Sequence, residues 1–215
     1  MRTSPPESVT AYTNLIDAIV CPVLILLIAV FGRTDTRFVL WTVSYSLLFI
    51  VSLMGYYVHG FRMSDEKKKK LWVVLYAVMA VLVVSFVAAI YSEIFGSAGL
   101  KTAVIVLGGF AALFLIVRLI LQNRISYGFT VFIAYCALNM LAIIVLLIAH
   151  VGACPRLGWF LAAIFVLVAG TVCQTFKSIR FKCIWLFDHN GVYHLSVLAF
   201  MLLAFAGIMR AYAAG

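Results

Sequence analysis

The chain has 215 residues and a formal net charge of +9, with 66% of its residues hydrophobic and only 11% charged. That composition excludes a water-soluble domain of ordinary make-up. The positive charge does not point to nucleic acid: the basic residues sit in short breaks beside hydrophobic runs, where they set topology and meet lipid headgroups.

A bilayer core of about 30 Å takes roughly 20 apolar helical residues to cross, and seven such runs follow one another with short polar breaks. They predict an all-α, multi-pass, seven-helix transmembrane bundle, one domain over residues 1–215. Helix 1 is expected over about Leu15 to Phe31. The run holds Asp17 and no small-residue cleavage site, so it is read as a retained helix and not a removable signal peptide. Helix 2 is expected from Phe38 to Phe61 and helix 3 from Leu71 to Phe95, each ended by charge or glycine. Helices 4 to 7 follow over Thr102 to Leu121, Phe129 to His150, Gly158 to Phe176 and Asn190 to Tyr212. No internal repeat or long linker interrupts them.

Seven spans put the N-terminus and loops 2-3, 4-5 and 6-7 on one side. That side carries Arg2, Arg62, Lys67 to Lys70, Arg118, Arg124, Lys177, Arg180 and Lys182, eleven basic residues against five (Arg33, Arg37, Lys101, Arg156 and Arg210) on the other. The positive-inside rule then predicts a cytoplasmic N-terminus and an external C-terminus. The Lys67 to Lys70 run reads as a solvated membrane anchor. Cys21, Cys136, Cys154, Cys173 and Cys183 form no C-x-x-C pair and are expected to be small hydrophobes without a role.

The chemistry gathers in a few polar residues at one predicted depth: Asp17 early in helix 1, His59 late in helix 2, and Asp188, His189 and His194 at the start of helix 7. Ionisable groups inside a membrane are costly and mark functional sites. Three histidines and a carboxylate at one level of a bundle are the material of a zinc site that leaves a position open for water. His59, His189 and His194 are the expected metal ligands; Asp17 is read either as the catalytic acid–base or as a residue that caps helix 1 or complements its dipole. On helix 2, Ser52 and Tyr56 fall on the face of His59. On helix 7, His189 and His194 are five residues apart, about 140° around a regular helix. The trio therefore requires that His189 precede the helix, with Asp188 or Asn190 as N-cap, Gly191 loosening the start, and Asp188 orienting His189.

Elsewhere the blander reading is expected. His150, at the opposite face of the membrane, is a hydrogen-bonded or headgroup-facing residue. Asn139, Thr171 and Gln174 are interhelical hydrogen-bond glue, Gly108 and Gly109 a close-packing site, and Glu93 a solvated carboxylate. A retinal Schiff base is not expected, because every lysine lies in a loop or at a helix end.

The segments Thr13-Asn14-Leu15-Ile16-Asp17, Gly55-Tyr56-Tyr57-Val58-His59-Gly60-Phe61 and Asp188-His189-Asn190-Gly191-Val192-Tyr193-His194 resemble an uncharacterised family of small heptahelical membrane proteins. More distantly, they are similar to the superfamily of alkaline ceramidases, progestin and adiponectin receptors and Per1-like proteins, intramembrane zinc hydrolases or suspected ones. That resemblance implies zinc held by His59 and His194. The superfamily's other helix-7 histidine falls on Asn190, its helix-2 serine falls on Gly55, and no aspartate stands between Leu71 and Ile90. Asp17 or Asp188 would then replace the missing acid, and Ser52 the missing serine. The expected function is zinc-dependent hydrolysis of a membrane-lipid amide or ester. The alternative is a non-catalytic sensor or structural subunit with a structural metal site.

Overall fold

A computed structural model describes residues 5–31, 35–121, 125–176, 178–182 and 185–213. Arg2, Arg33, Arg124, Lys177 and Cys183 lie outside the described residues. The helices are α1 (Pro5–Phe31), α2 (Thr36–Gly60), α3 (Asp65–Phe95), α4 (Leu100–Ile120), α5 (Ile125–His150), α6 (Leu157–Thr175) and α7 (His189–Ala213). Among the described residues, seven helices are long and apolar enough to cross a membrane, as a multi-pass membrane protein requires. Side chains such as Ile19, Leu26, Val30, Ile105, Val106 and Ile120 point outward and are exposed. An apolar belt of that extent belongs against lipid.

Every helix begins before its predicted start, α1 and α3 by the widest margins. α1 starts at Pro5, where two prolines at the first helical positions lack only N–H groups that have no helical partner anyway. Thr10, Thr13 and Asn14, which break the apolar run in the sequence, are buried in the interior. α3 starts at Asp65: the Ser64 side chain accepts from Lys67 N at 3.4 Å, and Asp65 and Glu66 complement the helix dipole. Lys67 to Lys70 are thus part of the opening turns of a helix and not a loop. Lys68 and Lys69 are half-buried there, so the run is not uniformly solvated.

The packing closes a ring. α2 lies between α1 and α3, α7 lies between α1 and α6, and α5 links α3 to α6, while α4 stands outside against α3 and α5. α4 buries only Ala111, Phe114 and Arg118. A methyl group added to Gly108 or Gly109 would meet nothing within 4 Å, so the close-packing expectation fails: these glycines sit on the outer side of an outer helix. Close approach occurs instead between α6 and α7, where a Cβ on Gly170 would fall 2.4 Å from Ser196 Cβ. Several polar groups inside the ring find partners within the protein, as a lipid surround favours. Tyr45 Oη donates to Met201 O at 2.8 Å, Tyr135 Oη to Ala80 O at 3.1 Å, and the Ser44 and Ser85 hydroxyls pair at 2.8 Å.

One element departs from the all-helical expectation. Strands β1 (Arg180–Lys182) and β2 (Leu186–Asp188) pair antiparallel, with Arg180 opposite Asp188. This short ribbon packs on α1 and delivers the chain directly into α7.

The other end of the bundle holds a buried ion pair. Glu93 closes α3 with a fully buried side chain: it accepts from Trp41 Nε1 at 3.0 Å and faces Arg156 Nη2 at 3.4 Å. The solvated carboxylate expected at this position is therefore corrected. Trp41, the donor to Glu93, stacks on Phe160 at 5.2 Å. His150 behaves as expected, with Nδ1 2.8 Å from Leu146 O.

Candidate functional site

The inner face of α1 begins as a polar stripe. Thr10, Thr13, Asn14 and Asp17 follow the i, i+3, i+4, i+7 spacing of one helix face, and all four are buried. Thr13 Oγ1 and Asn14 Nδ2 donate to Thr10 O at 2.8 and 2.9 Å, and Thr10 Oγ1 donates to Asp188 Oδ1 at 3.0 Å. That last bond ties α1 to the start of α7. Asp188 is the N-cap, its Oδ1 also accepting from Gly191 N at 2.9 Å.

Asp17 is different. Only 1% exposed, its carboxylate has no hydrogen-bond donor on either oxygen. An ionisable neighbour is His194, whose Nδ1 lies 3.6 Å from Asp17 Oδ2, an ion-pair distance too long for a hydrogen bond. A bare carboxylate out of water costs several kcal/mol. The group demands a partner: a cation, a donor or a proton.

His59 and His194 face each other with ring centroids 6.5 Å apart, and His59 also meets Trp72 edge-on at 6.1 Å. The structure thus brings Asp17, His59 and His194 together from α1, α2 and α7. It does not bring in His189. α7 starts at His189 itself, one residue earlier than the three-histidine arrangement needs, so this ring is turned about 140° from His194. His189 Nδ1 is buried without a partner, and Asp188, engaged by Thr10 and Gly191, makes no hydrogen bond to it. Among the described residues no three His, Cys, Asp or Glu side chains converge as a ready metal site.

The donors present nonetheless suit zinc in kind: two imidazoles and an orphaned carboxylate. Two imidazoles on one tetrahedral ion at about 2.0–2.1 Å place their ring centroids roughly 5 Å apart. The 6.5 Å between His59 and His194 is therefore wide for a shared ion and asks the rings to approach.

His59 and His194 line a cavity of about 930 Å³ inside the ring, near the upper end of small-molecule sites. Asp65, Lys68 and Lys69 line it at the end where α3 begins, His59 and His194 border it, and Trp41 and Phe86 line its far part. Ser52 lines it too, whereas Tyr56 packs edge-on against Phe61 at 5.7 Å and is not in the wall. Asn190 lines it and accepts from Gln174 Nε2 at 3.3 Å, which makes Gln174 the expected interhelical glue. Thr171 and Asn139 instead bond within their own helices, to Leu167 O and Tyr135 O.

Two residues escaped the sequence analysis. Asn14 fills the space over Gly55: a Cβ there would meet Asn14 Oδ1 at 2.2 Å. The spacing of Thr10, Thr13, Asn14 and Asp17 was the signal for it. Arg118, counted as a topology charge, is a buried residue of the cavity wall, and nothing in its apolar helix distinguishes it from a snorkelling arginine.

A family model matches residues 9–213 and is described as a family of unknown function, DUF6962. The chain belongs to this family. The match takes in every residue of the site, from Thr10 to His194. No curated protein and no solved structure matches the chain.

Proposed function

We propose that this chain is an intramembrane hydrolase of a lipid amide or ester, with zinc held by His59 and His194 and with Asp17 as its acid–base group. The observation that carries the reading is the orphaned Asp17 carboxylate beside His194, which itself lines a largely apolar cavity large enough for an acyl chain. The similarity of the His59 and His194 segments to the ceramidase and adiponectin-receptor superfamily supports the same reading. Zinc, when bound, supplies a water activated near neutral pH. Asp17 Oδ2, beside His194 Nδ1, would hold or move a proton there, and the Trp41 and Phe86 region takes the chain of the lipid.

Metal analysis of the purified protein, run beside a panel of ceramides, glycerolipids and lysolipids, tests the proposal. Bound zinc and a product that disappears with a chelator are expected. A metal-free protein with no product from the whole panel would remove the hydrolase reading. The second reading, a non-catalytic sensor or subunit, is favoured by Gly55 in place of the helix-2 serine and by His189 standing away from His194. Binding of a lipid without turnover is its signature.

The orientation proposed has the site at the cytoplasmic end, because eleven of the sixteen basic residues belong to that side. Cys154, in the α5–α6 connection, then reacts with a membrane-impermeant thiol reagent only from outside, and Cys183 only from the cytoplasm. The reverse pattern would move the site to the outer leaflet.

A further inference from the structure

α4 turns most of its surface outward, yet Arg118 in its last turn is only 4% exposed and lines the cavity. Its guanidinium carbon lies 4.7 Å over the ring of Tyr76, another residue of the wall, and neither Nε nor Nη1 has a hydrogen-bond partner. Among the described residues no carboxylate lies within 4.0 Å of it: Asp35, Glu66, Glu93 and Asp17 each face a different basic group. A buried guanidinium with unmet donors is costly unless an anion meets it. The cation–π contact with Tyr76 offsets only part of that cost.

The other charges of the wall do not supply that anion. Asp65 and Lys68 stand one turn apart at the start of α3 with opposite signs, and Lys69 has a partner of its own. Arg118 lies at the histidine end of the cavity: Tyr76 meets Trp72 at 5.5 Å, and Trp72 meets His59 at 6.1 Å, so two aromatic rings separate the guanidinium from His59. Away from that end the wall along α3 continues from Tyr76 as Met79, Leu82, Val83 and Phe86, about 15 Å of apolar helix face. A small free anion would leave that face uncovered, whereas an acyl chain covers it. We infer that the cavity takes an amphiphile with an acidic head, the head against Arg118 and the chain along Met79, Leu82, Val83 and Phe86. Arg118 requires a negative charge and does not choose between a carboxylate and a phosphate. The inference rests on the reading of the cavity as a lipid site, and not on zinc or hydrolysis.

Two pairs of lipids, matched in chain and differing in the charge of the head, test it by binding to the full chain in neutral detergent: N-oleoylglycine against N-oleoylethanolamine, and oleoyl lysophosphatidate against monooleoylglycerol. Within each pair the anion should bind about 10–100-fold more tightly, the range that charge-assisted hydrogen bonds supply. Millimolar acetate or phosphate should not displace the bound lipid. In Arg118→Gln the preference should largely vanish, while the neutral member of each pair keeps its affinity. Equal affinity within both pairs overturns the acidic head, and a preference in one pair alone overturns charge as the property selected. Displacement by acetate or phosphate overturns the amphiphile, and an unchanged preference in a folded Arg118→Gln overturns the role of Arg118. Binding of none of the four lipids removes the lipid cavity itself. The comparison within pairs needs only the wild-type protein, so it stands if the variant does not fold. An acidic lipid bound but never cleaved leaves this inference standing and counts against the hydrolase alone.

Discussion

Changing His59 and His194 together to alanine should abolish both bound zinc and lipid turnover, while Asp17→Asn should abolish turnover and keep the metal. The two effects separate because the residues have separate proposed tasks. Neutral imidazoles are zinc ligands, and two lost together leave no centre at which water is activated. Asp17 comes from a different helix and reaches His194 Nδ1 at 3.6 Å, where an amide can neither take nor return a proton. Loss of a positioned acid–base group costs typically about 10²–10⁴-fold in rate. Metal content by elemental analysis and product formation on the same samples read the two effects independently. Zinc lost with Asp17→Asn would make Asp17 a ligand instead of the base. Turnover unchanged in that variant would remove Asp17 from the mechanism, and zinc retained without His59 and His194 would place the metal elsewhere.

At the other end of the bundle, Glu93→Ala should lower stability by about 3 kcal/mol while leaving any lipid activity of the folded protein intact. Removing one member of a buried ion pair strands the other, at a cost of about 3–5 kcal/mol. The lower figure applies because Arg156 keeps 23% of its side chain exposed and can turn toward water. The Trp41 indole also loses its acceptor, so α2, α3 and the start of α6 loosen together. Glu93→Gln should cost less than the alanine, since an amide oxygen still accepts from Trp41 Nε1. The double variant Glu93→Leu with Arg156→Met should recover much of the loss, because neither charge is left alone. Denaturation in detergent measures all three, and a Glu93→Ala protein as stable as the wild type would show that the pair is not held together in the membrane.

The hydrophobic runs determined the seven spans by themselves, because a helix that must satisfy its own backbone in lipid leaves a run of about 20 apolar residues whatever its neighbours are. Their alternation also put Asp17, His59 and His194 at one end of the bundle, a matter of counting crossings. What the runs could not show was which side chains turn inward. Glu93 and Arg118 both stand at helix ends, where a charge normally reaches water. Only the packing of Trp41 over Glu93 and of Tyr76 under Arg118 makes them interior. Asn14 was hidden for the opposite reason, since its polarity ended the apolar run although its face of α1 is the buried one. The place of His189 was decided by a single residue: the β1–β2 ribbon brings Asp188 to Thr10, Asp188 caps the helix, and α7 therefore starts at His189. A ligand set that depends on one residue of helix register is settled by tertiary contacts between α1 and α7, and spacing along the chain carries no record of them.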